Sequence, residues 1–350
     1  MGDKVTTRFL GTDEYPKWAT FVADAPAGSI YSLPEYLDAL CAATGGSFRV
    51  LVAERNGRIE GGIALYEFAG SCQPRLLLYY NGIVLSDHDE PRSLKQTETR
   101  LHTLGALESA LTAQSYSRIR FKSRWPIHDL RVFQSEGWTL KPHWSYEIDI
   151  GNLEVAWKGL DKNLRRLVRR GQEAGLMCST EGDFDAFYRL HRATAERKGA
   201  PLYLAENAYR HFVADLRARK LARLYEARLP NGKVVSSQLV LTGPHAVTHT
   251  VCAGSDEQAL QLGASAFLRW TAMEDLAAAG YRANDLTDAA LNPVTRFKAQ
   301  FGGELRLFFE VSRCNAPARQ LYESAYGFAA WTKRYLRRLI GTRTSHRPTL

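Results

Sequence analysis

The sequence is poor in the features that mark a secreted, metal-stapled or membrane-spanning chain. Its 350 residues include only five cysteines (Cys41, Cys72, Cys178, Cys252 and Cys314), an odd number, scattered and without a C-x-x-C pair. That pattern argues against a disulfide framework and a cysteine-based zinc site, and it suits a reducing compartment. No apolar run approaches the roughly 20 residues that a membrane-spanning helix requires. The opening stretch MGDKVTTRFLGTDEYPKW lacks the apolar segment of a secretion signal. There is no G-x-S-x-G elbow, and no cysteine lies in a recognisable catalytic context, so no covalent nucleophile is expected. Acidic residues are also too few to balance the basic ones. Lys and Arg number 46 against 37 Asp and Glu, a formal charge of +9, which favours anionic partners such as RNA, nucleotides or phospholipid head groups. A cytoplasmic location is expected, with peripheral contact at the inner membrane face as an option.

What is present is a pattern written twice. VLVAERNGRIEGGIALYEF (50–68) places Asn56-Gly57, a strong hairpin signal, between two apolar runs, and ARLYEARLPNGKVVSSQLVLTG (222–243) repeats the plan around Asn231-Gly232. A small pair follows each turn at the same offset, Gly61-Gly62 and Ser236-Ser237. Each half then offers a further strand region (75–85 and 245–254) and a helix containing Leu-Gly-Ala, at Leu104 and Leu262. A short strand comes next (SRIRFKS, RANDLTD), then a helix ending in glycine (LRVFQSEGW, TRFKAQFGG), and a long strand closes each half (TLKPHWSYEIDI, ELRLFFEVS). The expectation is two α/β (α+β) domains of one topology, 1–150 and 151–340, each a twisted mixed sheet flanked by helices, with 341–350 as a basic tail.

Two helices of the second half carry unusual polar patterns. Lys162, Arg165, Arg166, Arg169 and Arg170 recur at i, i+3, i+4, i+7 and i+8 and share one helical face, with Leu164, Leu167 and Val168 opposite and Asp161 placed as an N-cap. Two readings stay open: a solvated charged face, or a phosphate-binding one, since guanidinium forks pair bidentately with phosphate oxygens. A basic amphipathic helix also suits an anionic membrane surface. In HRATAERKGAPLY, the residues His191, Thr194, Arg197 and Lys198 share a helix surface that Gly199 ends. The duplication supplies an internal comparison for Lys298. RFKAQFGG corresponds to LRVFQSEGW in the first half, where the same register holds Val132, Phe133 and Gln134 and no lysine. One copy keeps apolar packing and the other introduces a cation.

The order hairpin, strand, helix, strand, helix, strand resembles the GNAT acyltransferase fold. Two such domains in one chain resemble the FemAB-like and BioF2-like acyltransferases, relatives of the Fem-type peptidyltransferases of peptidoglycan bridge synthesis. The residues that carry the resemblance are the basic helix KNLRRLVRRGQEAGL, the Thr194/Arg197 pair, Phe297-Lys298 and Phe301-Gly302. The resemblance implies a cleft where the strand NDLTD splays from its neighbour, with Asp285 and Asp288 at or near it. It also implies that Lys298 holds substrate or stabilises the transition state, with Arg296 and Phe297 beside it. Aminolysis of an activated acyl group needs a neutral amine, an oxyanion stabiliser and a proton acceptor. Asp285, Asp288 and, more weakly, His249 are candidates for the last.

The resemblance leaves the acyl donor to be read from the phosphate loop. CoA-dependent GNAT proteins hold the pyrophosphate with a [Q/R]-x-x-G-x-[G/A] loop at a helix start, and here the matching residues are Leu260-Gln261-Leu262-Gly263-Ala264-Ser265, a degraded version. This favours aminoacyl-tRNA as co-substrate, with no tightly bound cofactor and no metal. The site residues expected on these grounds are Lys298, Asp285 and Asp288 for chemistry, and Phe297, Arg296, Lys162, Arg165, Arg166, Arg169, Thr194 and Arg197 for binding. NAPARQLYESAYGF (315–328) points the other way, toward a CoA-dependent N-acyltransferase of polysaccharide or lipid with Tyr322 as general acid. A third expectation, from another class, is a non-catalytic module that binds an anionic polymer or membrane.

Overall fold

The computed structural model describes residues 5–87, 94–291 and 293–314; the segment holding Tyr322 and the basic tail lies outside them. The first half runs β1 (Thr6–Phe9), α1 (Tyr15–Asp24), α2 (Pro34–Thr44), β2 (Ser47–Arg55), β3 (Arg58–Phe68), β4 (Ser71–Cys72), β5 (Val84–Leu85), α3 (Leu94–Thr112), β6 (Arg118–Ser123), α4 (Arg131–Ser135) and β7 (Thr139–Asp149). The second runs α5 (Leu153–Gly159), α6 (Lys162–Glu173), β8 (Met177–Ser179), α7 (Phe184–Lys198), α8 (Glu206–Ala218), β9 (Ala222–Arg228), β10 (Val234–Leu241), β11 (Val247–Ser255), α9 (Ala264–Ala278), β12 (Ala283–Asp285), α10 (Pro293–Ala299) and β13 (Glu304–Cys314).

The repeat is visible in the elements. Asn56 and Gly57, at φ 52° and 75°, make the tight turn between β2 and β3, and Gly232 at φ 83° turns the chain between β9 and β10. One expected strand is missing from the first copy: residues 75–83 are irregular, with Leu77 at φ 72°, and only β5 of that stretch pairs, with β3. A left-handed leucine cannot continue a ladder.

The thirteen strands of the described residues join one mixed sheet in the order β1-β2-β3-β4-β6-β13-β7-β12-β11-β10-β9-β8, with β5 on the side of β3. The two halves exchange their last strands. β13 pairs antiparallel with β6 of the first half, β7 pairs antiparallel with β12 of the second, and β7 and β13 pair with each other in the middle. Neither half completes its sheet without the other.

The core follows the same interlock. The largest apolar cluster mixes Trp18, Tyr31, Tyr36 and Leu37 from the first half with Phe187, Tyr209, Phe212 and Leu239 from the second. Tyr36 meets Phe212 edge-on at 5.8 Å between ring centres. A second cluster packs α6 and α9 against β9 and β10 through Leu164, Val168, Phe267 and Trp270. Close approach there depends on glycine. A Cβ on Gly171 would come within 2.7 Å of the Phe267 side chain, and one on Gly263, at φ 77°, would lie 2.1 Å from the Leu167 carbonyl oxygen.

Candidate active site

The site is built where the sheet opens. β11 and β12 pair in parallel over three residues only: Val247 with Ala283, Thr248 with Asn284, and His249 with Asp285. Beyond Asp285 the chain leaves β11 and stays with β7, since Leu286 N donates to the Tyr146 carbonyl at 2.8 Å and Ala289 N to that of Trp144 at 2.7 Å. Thr287 alone reaches back, its Oγ1 donating to the Thr250 carbonyl at 2.9 Å. β11 itself continues to Ser255, so the two strands part and leave a notch. The parting residues, Thr287 and Asp288, are consecutive left-handed positions at φ 45° and 59°. Such a conformation costs about 1–3 kcal/mol per non-glycine residue and persists only where neighbours enforce it.

Two side chains enforce it. Lys298, half-buried on α10, donates Nζ to the Asp288 carbonyl at 2.6 Å and also to the Thr287 carbonyl. Burial, with the nearby Arg269 cation, lowers its ammonium to about 8, partly offset by Asp288 and Asp285. Asp285 anchors the other side of the turn. It is buried, and its oxygens accept from the Thr287 amide at 2.7 Å, Tyr80 Oη at 2.8 Å and Ser145 Oγ. His249 Nδ1 stands 3.4 Å from Asp285 Oδ2, outside well-formed hydrogen-bond geometry. Burial alone would raise the Asp285 carboxyl; the imidazole, Ser145 and Tyr80 outweigh it and hold it low, near 2. Burial keeps His249 below the usual imidazole range, partly offset by the Asp285 carboxylate. A carboxylate with these donors is a poor proton acceptor. Asp288 differs: its side chain is exposed, with Oδ1 accepting from Ala290 N at 3.2 Å.

The remaining expected residues are distributed around this centre. Arg296 is exposed on α10, and Phe297 is half-buried with its ring edge-on to Phe301 at 5.3 Å. Thr194 is buried, and its Oγ1 accepts from Ser255 N at 3.2 Å, so it holds the end of β11 rather than facing the notch; Arg197 is exposed at the end of α7. His191 is buried, stacks on Phe187 and is lowered to about 4 by burial. On α6, Asp161 caps Asn163 N at 2.8 Å as expected. Arg165 and Arg170 donate to the carbonyls of Lys158 and Gln261, each at 3.0 Å, whereas Lys162, Arg166 and Arg169 are exposed. Among the described residues none of these five cations has a carboxylate partner.

Sequence reasoning passed over Tyr80, Ser145 and Arg269. The first two are ordinary residues in ordinary strand-like text. Arg269 did carry a signal, a lone charge inside the apolar helix stretch AFLRWTAM. A cavity of about 580 Å³ also went unforeseen; it joins the halves, lined by Arg75, Tyr79, Arg120 and Lys122 from one and Tyr203 and Leu204 from the other.

Residues 158–299 match the family model of the Acetyltransferase (GNAT) domain, so this stretch is of GNAT acyltransferase type. The whole chain has the fold of tandem GNAT proteins, as three solved structures show. FemX superposes with a TM-score of 0.68 at 14% identity, over 87% of this chain and 96% of its own. The C-terminal domain of a putative lysylphosphatidylglycerol synthetase from Agrobacterium fabrum gives 0.59 at 15%, over 90% and 97%. A tandem GNAT protein from the clavulanic acid biosynthesis pathway gives 0.50 at 14%, over 89% and 98%. No curated protein matches the chain in sequence. Among the described residues, no helix is long and apolar enough to cross a membrane.

Proposed function

We propose that the protein forms an amide by moving an aminoacyl group from aminoacyl-tRNA to an amine. The observation that carries the acyl-transfer reading is the Lys298 ammonium, seated on the Thr287 and Asp288 carbonyls where β11 and β12 part. An amine attacking an activated carbonyl passes through a tetrahedral oxyanion, and a cation fixed in the notch stabilises that charge as it develops. Lys298 is the oxyanion stabiliser. Asp288 is the carboxylate free to take the amine proton, and Asp285 positions the turn that presents both. Arg296 and Phe297 flank the entrance from α10.

Two features support tRNA over CoA as donor. Three amides of the loop that would cradle a pyrophosphate are already used: Leu262 N and Ala264 N donate to the Ala259 carbonyl, and Gly263 N to that of Leu260. The exposed cations Lys162, Arg166 and Arg169, without carboxylate partners among the described residues, suit a polyanion. The likeness to FemX and to a lysylphosphatidylglycerol synthetase supports aminoacyl transfer. The acceptor is an amine-bearing molecule, for which the cavity with Arg75, Arg120 and Lys122 suits an anionic one such as a cell-wall precursor. This reading puts the work of the 151–340 half in the cytoplasm, where charged tRNA is found.

The test is titration of the purified chain with charged tRNA and with acetyl-CoA at near-physiological salt, paired with turnover of Lys298→Met. Salt-sensitive tRNA binding and loss of turnover in the variant are expected. Saturable CoA binding without tRNA preference would replace the donor, a reading that the acetyltransferase family model favours. Full turnover in Lys298→Met would remove Lys298 from the chemistry, and anion binding without turnover in the wild type would leave only the non-catalytic module.

A further inference from the structure

Arg269 lies in the middle of α9, only 8% exposed, and its Nη1 is buried without a hydrogen-bond partner. No carboxylate faces it among the described residues. Its neighbours are the rings of Phe297 and Phe301, 5.9 and 5.8 Å from the guanidinium carbon, at the outer limit of a cation–π contact. Burial lowers it to about 10, so it remains a cation at neutral pH. The charges it meets are of its own sign: Arg269 contributes to lowering both Lys298 and Lys198, after burial in each case. Phe297, whose ring the guanidinium faces, precedes the half-buried Lys298 on α10, so the buried guanidinium lies against the helix that carries the notch cation. An isolated buried charge is among the most destabilising features a fold can contain. Such a group makes sense where its counter-charge arrives with a ligand.

We propose that Arg269, beside the helix that carries Lys298, is a binding site for a carboxylate on the acyl group being transferred, so that the preferred donor carries an acidic side chain. The inference rests on the acyl-transfer reading for its position: an anion beside Lys298 belongs to the part of the donor next to the reacting carbonyl. The planar guanidinium offers a carboxylate two parallel hydrogen bonds, and the two phenyl rings exclude the water that would weaken them. No bond is made or broken at Arg269. It is a specificity residue, not a catalytic one.

The test needs no turnover and so stands apart from the Lys298→Met assay. Thermal melts of the full chain are recorded at constant ionic strength with glutarate, with inorganic phosphate and without either. For the wild-type protein, glutarate raises Tm and phosphate does so less. Arg269→Met melts higher than wild type without anion, because it removes an unpaired buried charge, and it no longer responds to glutarate. Arg269→Lys covers the case in which the methionine variant fails to fold: it keeps the charge, loses the fork, and binds glutarate about tenfold more weakly. An equal response of wild type and variants to glutarate, no response in the wild type, or a stronger Arg269-dependent response to phosphate would each overturn the assignment.

Discussion

Lys298 Nζ and the Asp288 carbonyl oxygen are 2.6 Å apart, a bond that ties α10 back to the left-handed turn where β12 ends. The same ammonium bonds the Thr287 carbonyl, so one cation both closes a strained turn and stands at the opening between two strands. Position and chemistry come from a single side chain, which makes it the first residue to test.

Lys298→Met is expected to lower acyl-transfer turnover by about 10²–10³-fold, the range for loss of one oxyanion stabiliser. Near-wild-type circular dichroism would accompany it. Because the ammonium is lowered to about 8, activity should fall as pH rises through that value, and in Lys298→Arg the falling limb should move to higher pH. A pH–rate profile of both proteins decides this.

Asp285→Asn is expected to destabilise the fold by about 3 kcal/mol, since the amide places an N–H among donors that need an acceptor. A carboxyl held low stabilises the folded state above its unfolded pKa, and that contribution disappears as pH falls through its folded value. The gap between wild type and variant should therefore be full above about pH 4 and close toward about 2. Denaturant melts over that pH range measure it.

Neutralising Arg166 and Arg169 together should weaken tRNA binding and reduce the slope of log affinity against log salt by about one unit for each phosphate left without its cation. Stability should not change, because neither side chain is buried. Unchanged binding would mean that α6 is a solvated face.

Gly263→Ala should lower Tm markedly. The new methyl would occupy the space of the Leu167 carbonyl and force a residue with a Cβ to hold φ 77°. Relief requires α9 to move from α6, so differential hydrogen exchange should rise in those two helices before the rest.

Much of the fold was legible because it was written locally and twice. The Asn-Gly turns and the basic face of α6 need only near neighbours to define them. The strand expected over 75–85 failed because an apolar run of Leu and Tyr serves a buried irregular segment as well as a strand; Tyr80 and Leu78 are buried there through tertiary contacts. Lys298 could be singled out because the first half holds no lysine in its place. Arg269 could have been, as a charge in apolar text, but nothing in its surroundings along the chain indicates that it lacks a partner.

The sequence by itself determined the two Asn-Gly hairpins, the basic face of α6 and the cation on α10, since each depends on residues within a few turns of chain. Only the tertiary structure decided how the halves join. The exchange of β7 and β13 depends on pairing between strands far apart in sequence, which local periodicity does not encode. It also separated the two aspartates. Asp285 and Asp288 are three residues apart, yet one is buried among hydroxyl and amide donors and the other faces water. Burial and partners, rather than residue type, set what each carboxylate can do.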